Sequence, residues 1–212
     1  IMFALVDKSD NSITRMYSGN KGITIGDNQY PKAIFTLWTE AERNAINIYE
    51  VTIDESKRKD ERWYTNTGIT YSFDGTNAKG AYGDATAKAH ADTNWTQKEI
   101  DDGLAPAGAD TDTVSTRGLK YHLIRDVKQE AENELSKTDW YITRKSEKNT
   151  AIPSAITTHR DAVRSKQAAM ETSITNASDT PALETLYTYV NTADEGDPVV
   201  MERPIGEIPK LD

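Results

Sequence analysis

Between residues 118 and 174 the apolar positions fall into two helical series. Leu119, Leu123, Val127, Ala131 and Leu135, with Ile124 beside them, recur at the spacing of one α-helical face. The positions between them carry Lys120, Asp126, Lys128, Glu130, Glu132 and Glu134, which predicts a solvated face. A second series follows Pro153, at Ile156, Val163, Met170 and Ile174, with Ala162 and Ala169 alongside. Two such helices joined by a short connection predict an αα-hairpin. Asp139 and Trp140 are expected to end the first helix just after Lys137, with the indole buried between the two helices. The polar segment YITRKSEKNT then turns the chain as a loop.

Before residue 84 the pattern has a period of two. Residues 2–6 read as a strand, DKSDN as a turn and residues 12–17 as its hairpin partner. Residues 21–25 predict a third short strand ahead of the GDNQ turn, and Pro31 restricts Tyr30 to extended backbone. Thr39-Glu40-Ala41-Glu42 is a capping box, marking a helix start that runs to about Asn47. Residues 48–53 leave it as a strand, and Phe35, Leu37 and Trp38 are expected to pack the helix. A further hairpin is predicted around Asp74-Gly75, from Trp63 to Tyr82.

Residues 84–118 lose this regularity. They are rich in Ala, Asp, Thr and Gly, are broken by Gly103, Pro106 and Gly108, and predict a linker or long loop. Thr180-Pro181 opens a third helix with proline in its first turn, burying Leu183, Leu186, Tyr187 and Val190. From Gly196 onward Pro198, Pro204 and Pro209 punctuate Val199, Val200, Met201, Ile205, Ile208 and Leu211. That pattern predicts an extended arm which orders against a neighbouring subunit.

The expected fold class is therefore α+β. Residues 1–83 form a small β-rich docking module with one short helix, and 84–118 an acidic linker. Residues 119–192 form the helical hairpin plus a third helix, and 193–212 an extended acidic tail containing the prolines.

Charge sharpens this division. The chain carries a formal net charge of −9. Residues 84–112 hold seven acids against two bases and residues 193–212 six against two, so the acidity belongs to the expected linker and tail. With no basic patch to release counterions, nucleic acid is not an expected partner. No apolar run approaches the ~20 residues of a membrane span, and the apolar start at residues 1–6 is too short, without a basic flank, for a signal peptide. Cysteine is absent, which removes disulfides, thiolate nucleophiles and Cys-based zinc sites. An oligomer or larger assembly is expected on the same ground.

Candidate chemistry is sparse. His90, His122 and His159 show no metal-ligand spacing; His122 reads as helix surface and His159 as lining the hairpin seam. Glu130, Glu132 and Glu134 read as a solvated helix face rather than a catalytic pair, and Asp110 and Asp112 lack the glycine and distal glutamate of a calcium loop. Neither a phosphate-cradling glycine loop nor GxSxG occurs. No catalytic, cofactor or metal site is expected. The remaining candidates are partner-binding residues: Trp140 as an anchor, Arg144, Arg160 and Arg164, and the apolar tail residues Met201, Ile205 and Ile208. Arg160 and Arg164 lie one helical turn apart, placed either to clamp an acidic partner or to pair with Asp139 and Asp161.

The helix ending in Thr138-Asp139-Trp140, the loop with Arg144, then Pro153 and a helix bearing Arg160 and Arg164 together resemble the C-terminal module of bacteriophage tail fibre assembly and tail assembly chaperone-like proteins. His159 stands where that pattern has an aromatic residue. The opening, MFALV…ITIGDNQYPKAIFTLWTEAE, resembles the start of the same marine-phage proteins from Met2 onward, with Ile1 preceding it. The two ends cover about half the chain. The resemblance implies a non-enzymatic protein of tail fibre assembly or attachment, whose partners are tail or tail fibre proteins. It would act in the host cytoplasm during assembly, as a chaperone that leaves or as a structural component retained in the virion tail. The alternative is a virion-borne protein that degrades glycans or binds the host envelope.

Overall fold

The period-two pattern at the start of the chain becomes a β-hairpin. Strands β1 (Met2–Asp7) and β2 (Ser12–Tyr17) pair antiparallel. In the turn between them Asp7 and Asp10 accept the backbone N–H groups of Ser9 and Ser12, and Asn11 takes the left-handed conformation it tolerates. In this computed structural model, residues 1–211 are described and the chain divides after Thr86 into two units.

In the first unit a second hairpin, β3 (Ile23–Ile25) and β4 (Asn28–Tyr30), turns at Gly26. A 3-10 turn (Lys32–Phe35) precedes α1 (Glu40–Ala45). The expected capping box is formed there: Glu42 donates its N–H to the Thr39 hydroxyl, and its carboxylate accepts the Thr39 N–H. Strands β5 (Ile48–Asp54), β6 (Tyr64–Thr65), β7 (Ile69–Phe73) and β8 (Ala78–Tyr82) follow. The Asp74 carboxylate braces the β7–β8 turn by accepting N–H bonds from Thr76 and Asn77.

The main sheet has the order β2-β1-β5-β8-β7, with β5 and β8 parallel and the other neighbours antiparallel. Its edge strands β2 and β7 come within 8 Å of each other, so the sheet curls. The enclosed face buries Ala4, Val6, Tyr49, Val51, Phe73 and Ala78. Gly80 lies on that face because there is no room for more: a Cβ would stand 2.8 Å from both Ile53 Cδ1 and Ile69 Cγ2. The other face packs Phe3 and Ile48 against Ile23, Ile34 and Phe35, with Trp38 at its margin. Leu37, expected in this packing, is exposed.

The stretch expected to be a linker is built structure. After β9 (Thr86–Ala87), which spans the division between units, come β10 (Thr93–Asn94), α2 (Gln97–Asp101) and β11 (Val114–Thr116). Strands β10 and β11 pair antiparallel, and α2 starts at a second capping box, Thr96 with Glu99. Asp92 accepts the Gly118 N–H and pairs with Arg117. The N–H groups of Leu119 and Lys120 bond to the carbonyls of Ala89 and His90. Local polar contacts hold this segment, which an apolar period cannot signal.

The helices follow as α3 (Leu119–Ser136), α4 (Asp139–Lys148), α5 (Ser154–Asn176) and α6 (Thr180–Tyr187). The predicted seam between α3 and α5 is present: Leu123, Val127 and Ala131 are buried, as are Ile156, Val163, Met170 and Ile174. The supposed loop after Trp140 is instead the helix α4. Arg, Lys, Ser and Glu support a helix without giving it an apolar stripe, and Asn149 closes it in the left-handed conformation. Helix α6 buries Leu183 but stops at Tyr187, leaving Val190 exposed in β12 (Val190–Asn191), which pairs with β13 (Met201–Glu202).

The tail is the largest departure. Ile205 and Ile208 are 3% and 1% exposed within this chain, so they are core residues rather than partner contacts. The Ile205 N–H bonds to Leu186 O, Lys210 pairs with Glu130, and the Leu211 N–H bonds to Glu134. Residues 204–211 form a strap over the helices, because two isoleucines between prolines find apolar cover in their own helical unit. Among the described residues no helix is long and apolar enough to cross a membrane.

Two substitutions test this arrangement by urea unfolding followed by circular dichroism. Ile208→Ala should cost about 2–5 kcal/mol, as for a large-to-small core change; a free arm would lose nothing. Gly118→Ala should cost about 1–3 kcal/mol by overpacking, since its Cβ would stand 2.3 Å from the backbone of Ala91.

Candidate functional site

Helix α3 ends where the chain must satisfy its last carbonyl groups. The Thr138 N–H and hydroxyl both donate to Leu135 O. The Arg160 guanidinium, reaching across from α5, donates through Nη1 to Leu135 O at 2.8 Å, Thr138 Oγ1 at 2.6 Å and Asp139 Oδ1 at 2.9 Å. Thr138 and Arg160 are both buried. Arg160 thus shares the seam of Ile156, Val163, Met170 and Ile174 and ties the α3–α4 junction to α5. Of its two expected roles it takes the pairing with Asp139; Arg164 pairs with Asp161 and stays exposed.

One turn earlier on α3 lies Glu134, expected on a solvated face but only 2% exposed. It accepts a hydrogen bond from Lys137 at 2.6 Å and from the Leu211 N–H of the strap at 2.8 Å. His159 lines the seam as expected, its Nε2 3.2 Å from Glu134 Oε1 but outside hydrogen-bond geometry. The Lys137 hydrogen bond holds the Glu134 carboxyl below the ordinary range; burial opposes this, while the Leu211 N–H and the Lys137 and His159 charges add to it. Glu134 is a fastening point for the strap.

Helix α4 has a different character. None of its residues is fully buried. Trp140, expected between the helices, is 49% exposed, because Arg160 and Thr138 close the junction that the indole was expected to seal. Trp140 instead stacks on Tyr141, with ring centroids 3.7 Å apart and planes 31° apart. Arg144, four and three residues further on, lies on the same side of the helix. Its guanidinium sits 4.7 Å from the Trp140 ring and 5.1 Å from that of Tyr141. Such cation–π contacts contribute about 0.5–1 kcal/mol at an exposed site and hold the three side chains as one surface. Ile142, two residues from Trp140, is exposed on the other side of the helix. Among the described residues Arg144, Lys145 and Lys148 have no carboxylate partner.

The partner-binding candidates therefore separate. Trp140 and Arg144 come together on α4, joined by Tyr141, Lys145 and Lys148, which a loop would not have brought to one side. Arg160 is a buried strut, Arg164 an exposed ion-paired residue, and Ile205 and Ile208 are core. Met201 is exposed on the β12–β13 hairpin. Among the described residues no three His, Asp or Glu side chains converge as metal ligands. No protein-family model matches this chain, and no curated protein or solved structure matches it either.

The sign of the pH effect at Glu134 follows from its depressed carboxyl. Its stabilising contribution is full above the ordinary value of 4.5 and is lost as pH falls through the lower folded value. Glu134→Gln should lower stability at pH 7 by about 1.5–3 kcal/mol, the range for a hydrogen bond to a charged group. The gap between the two proteins should narrow as pH falls below 4.5 and through the lower folded value, read from urea midpoints at each pH.

Proposed function

We propose that this chain is a non-enzymatic phage tail-associated protein, acting in tail fibre assembly or attachment through a docking face on α4. The observation that carries the reading is Trp140 standing half in solvent, stacked on Tyr141 and Arg144, on a helix that buries none of its own residues. Trp, Tyr and Arg are the residue types enriched at binding hot spots, and all three stand together here on one helix. The same residues lie within the segment that resembles the phage proteins. The buried ionisable groups nearby, Glu134 and Arg160, support the reading in another way. Their hydrogen bonds are taken up in holding the strap and the helix junction, which leaves α4 fixed and presented.

The partner on this reading is a tail or tail fibre protein, and the site of action is the host cytoplasm during assembly or the virion tail. Trp140→Ala should lower folding stability by only about 1 kcal/mol, the exposed cation–π contact it gives up, well short of the about 3–5 kcal/mol of a buried tryptophan. It should nevertheless weaken co-purification with the tail or fibre proteins, or incorporation into particles, by tenfold or more, in line with loss of a hot spot worth about 2 kcal/mol. Normal incorporation of the variant would rule out α4 as the docking face. Turnover of host glycans by the purified chain, abolished by changing one carboxylate, would replace the assembly reading with an enzymatic one.

A further inference from the structure

Two surfaces of the helical unit have charges left unmatched, and they are of opposite sign. On α4, Arg144, Lys145 and Lys148 lie on the side of Trp140 and Tyr141 and have no ion-pair partner among the described residues; with Glu147 on the same side, three cations stand against one acid there. On the hairpin formed by β12 and β13, Asp194, Glu195 and Asp197 are exposed and have no cationic partner among the described residues. The same hairpin exposes Tyr189, Val190, Val199, Val200 and Met201, an apolar concentration of the kind that marks an interaction surface. Among the described residues no hydrogen bond or ion pair joins the hairpin to α4: Tyr189 bonds to Glu207, Thr192 to Glu202, and Val200 to Asn191.

We propose that the 190–202 hairpin of one copy docks on α4 of a second copy, so that the chain assembles head to tail. This rests on the reading of α4 as a docking face and names its occupant. Each half supplies what the other lacks. The acidic tip would meet Arg144, Lys145 and Lys148, while Val199 and Met201 would cover Trp140 and Tyr141. A chain of net charge −9 repels its copies at long range, but that repulsion is screened beyond about 8–10 Å in physiological salt. Local complementarity then decides whether contact is made. Because the two surfaces differ, the contact is heterologous: it closes into a ring if the rotation between copies allows, and otherwise extends as a filament. The strap gives the hairpin a fixed base, since Tyr189 is tied to Glu207 and Ile205 to Leu186.

The test is sedimentation of the purified full chain over a range of protein and salt concentrations. The mass should rise with protein concentration, and more steeply at low salt. Lys145→Glu with Lys148→Glu should weaken association about tenfold or more, and so should Asp194→Lys with Asp197→Lys. An equimolar mixture of these two variants should associate again, because each reversed surface meets a reversed partner. Trp140→Ala, which changes no charge, should weaken it as well. Circular dichroism of each variant checks that the helices remain. A monomer at every concentration, association indifferent to both reversals, or a mixture that stays apart would each overturn the proposal. If the chain stays monomeric while Trp140→Ala still blocks incorporation into particles, self-association alone falls and the docking reading stands.

Discussion

The helical unit depends on one buried guanidinium. Arg160 lies in the apolar seam between α3 and α5, where an unmatched charge would be prohibitively costly. Its acceptors are supplied by the α3–α4 junction: the last-turn carbonyl of Leu135, the Thr138 hydroxyl and the Asp139 carboxylate. That requirement ends α3 where it does. It also starts α4 from Asp139, whose charge favours a helix N-terminus. The direction of α4 follows, and with it the exposure of Trp140. The aromatic residue is on the surface because a buried cation occupies the junction it would otherwise have sealed.

Elements whose signal is local and strong were legible in the sequence. The Thr39–Glu42 capping box, the Asp74-Gly75 turn and the first hairpin all appear where the residues place them. The apolar faces of α3 and α5 were legible too, since burial along a helix has a clear period. What escaped was structure held by polar contacts. Residues 84–118 look like a solvated linker because their order comes from Asp92 gripping Gly118 and Arg117, and from carbonyls of Ala89 and His90 receiving the start of α3. Helix α4 lacks an apolar stripe and so reads as loop. Glu134 and Arg160 read as surface because charge is normally solvated; each is buried only because several partners from other elements meet it.

The candidate site was half legible for the same reason. Trp140 and Arg144 stand out by residue type, and their spacing of four brings them together once α4 is known to be a helix. Ile205 and Ile208 were misplaced because proline-punctuated apolar residues suit an arm bound to a neighbour and a strap bound to its own helices equally well. The Leu186 carbonyl and the Glu130 and Glu134 carboxylates, all distant in sequence, decide for the strap.

This ordering of the tail changes where its apolar surface matters. An arm free along its whole length would present all six apolar residues to a partner and would lose much conformational entropy on binding. Here Ile205 and Ile208 are committed to the core, and folding has already met that cost. What remains exposed is a short hairpin whose base is held by hydrogen bonds from Ile205 and Tyr189. Preorganisation of this kind favours binding by reducing the ordering left to do. The buried half of the tail therefore positions the exposed half, just as Arg160 positions Trp140. In both places a contact inside the unit determines which side chains are left for a partner.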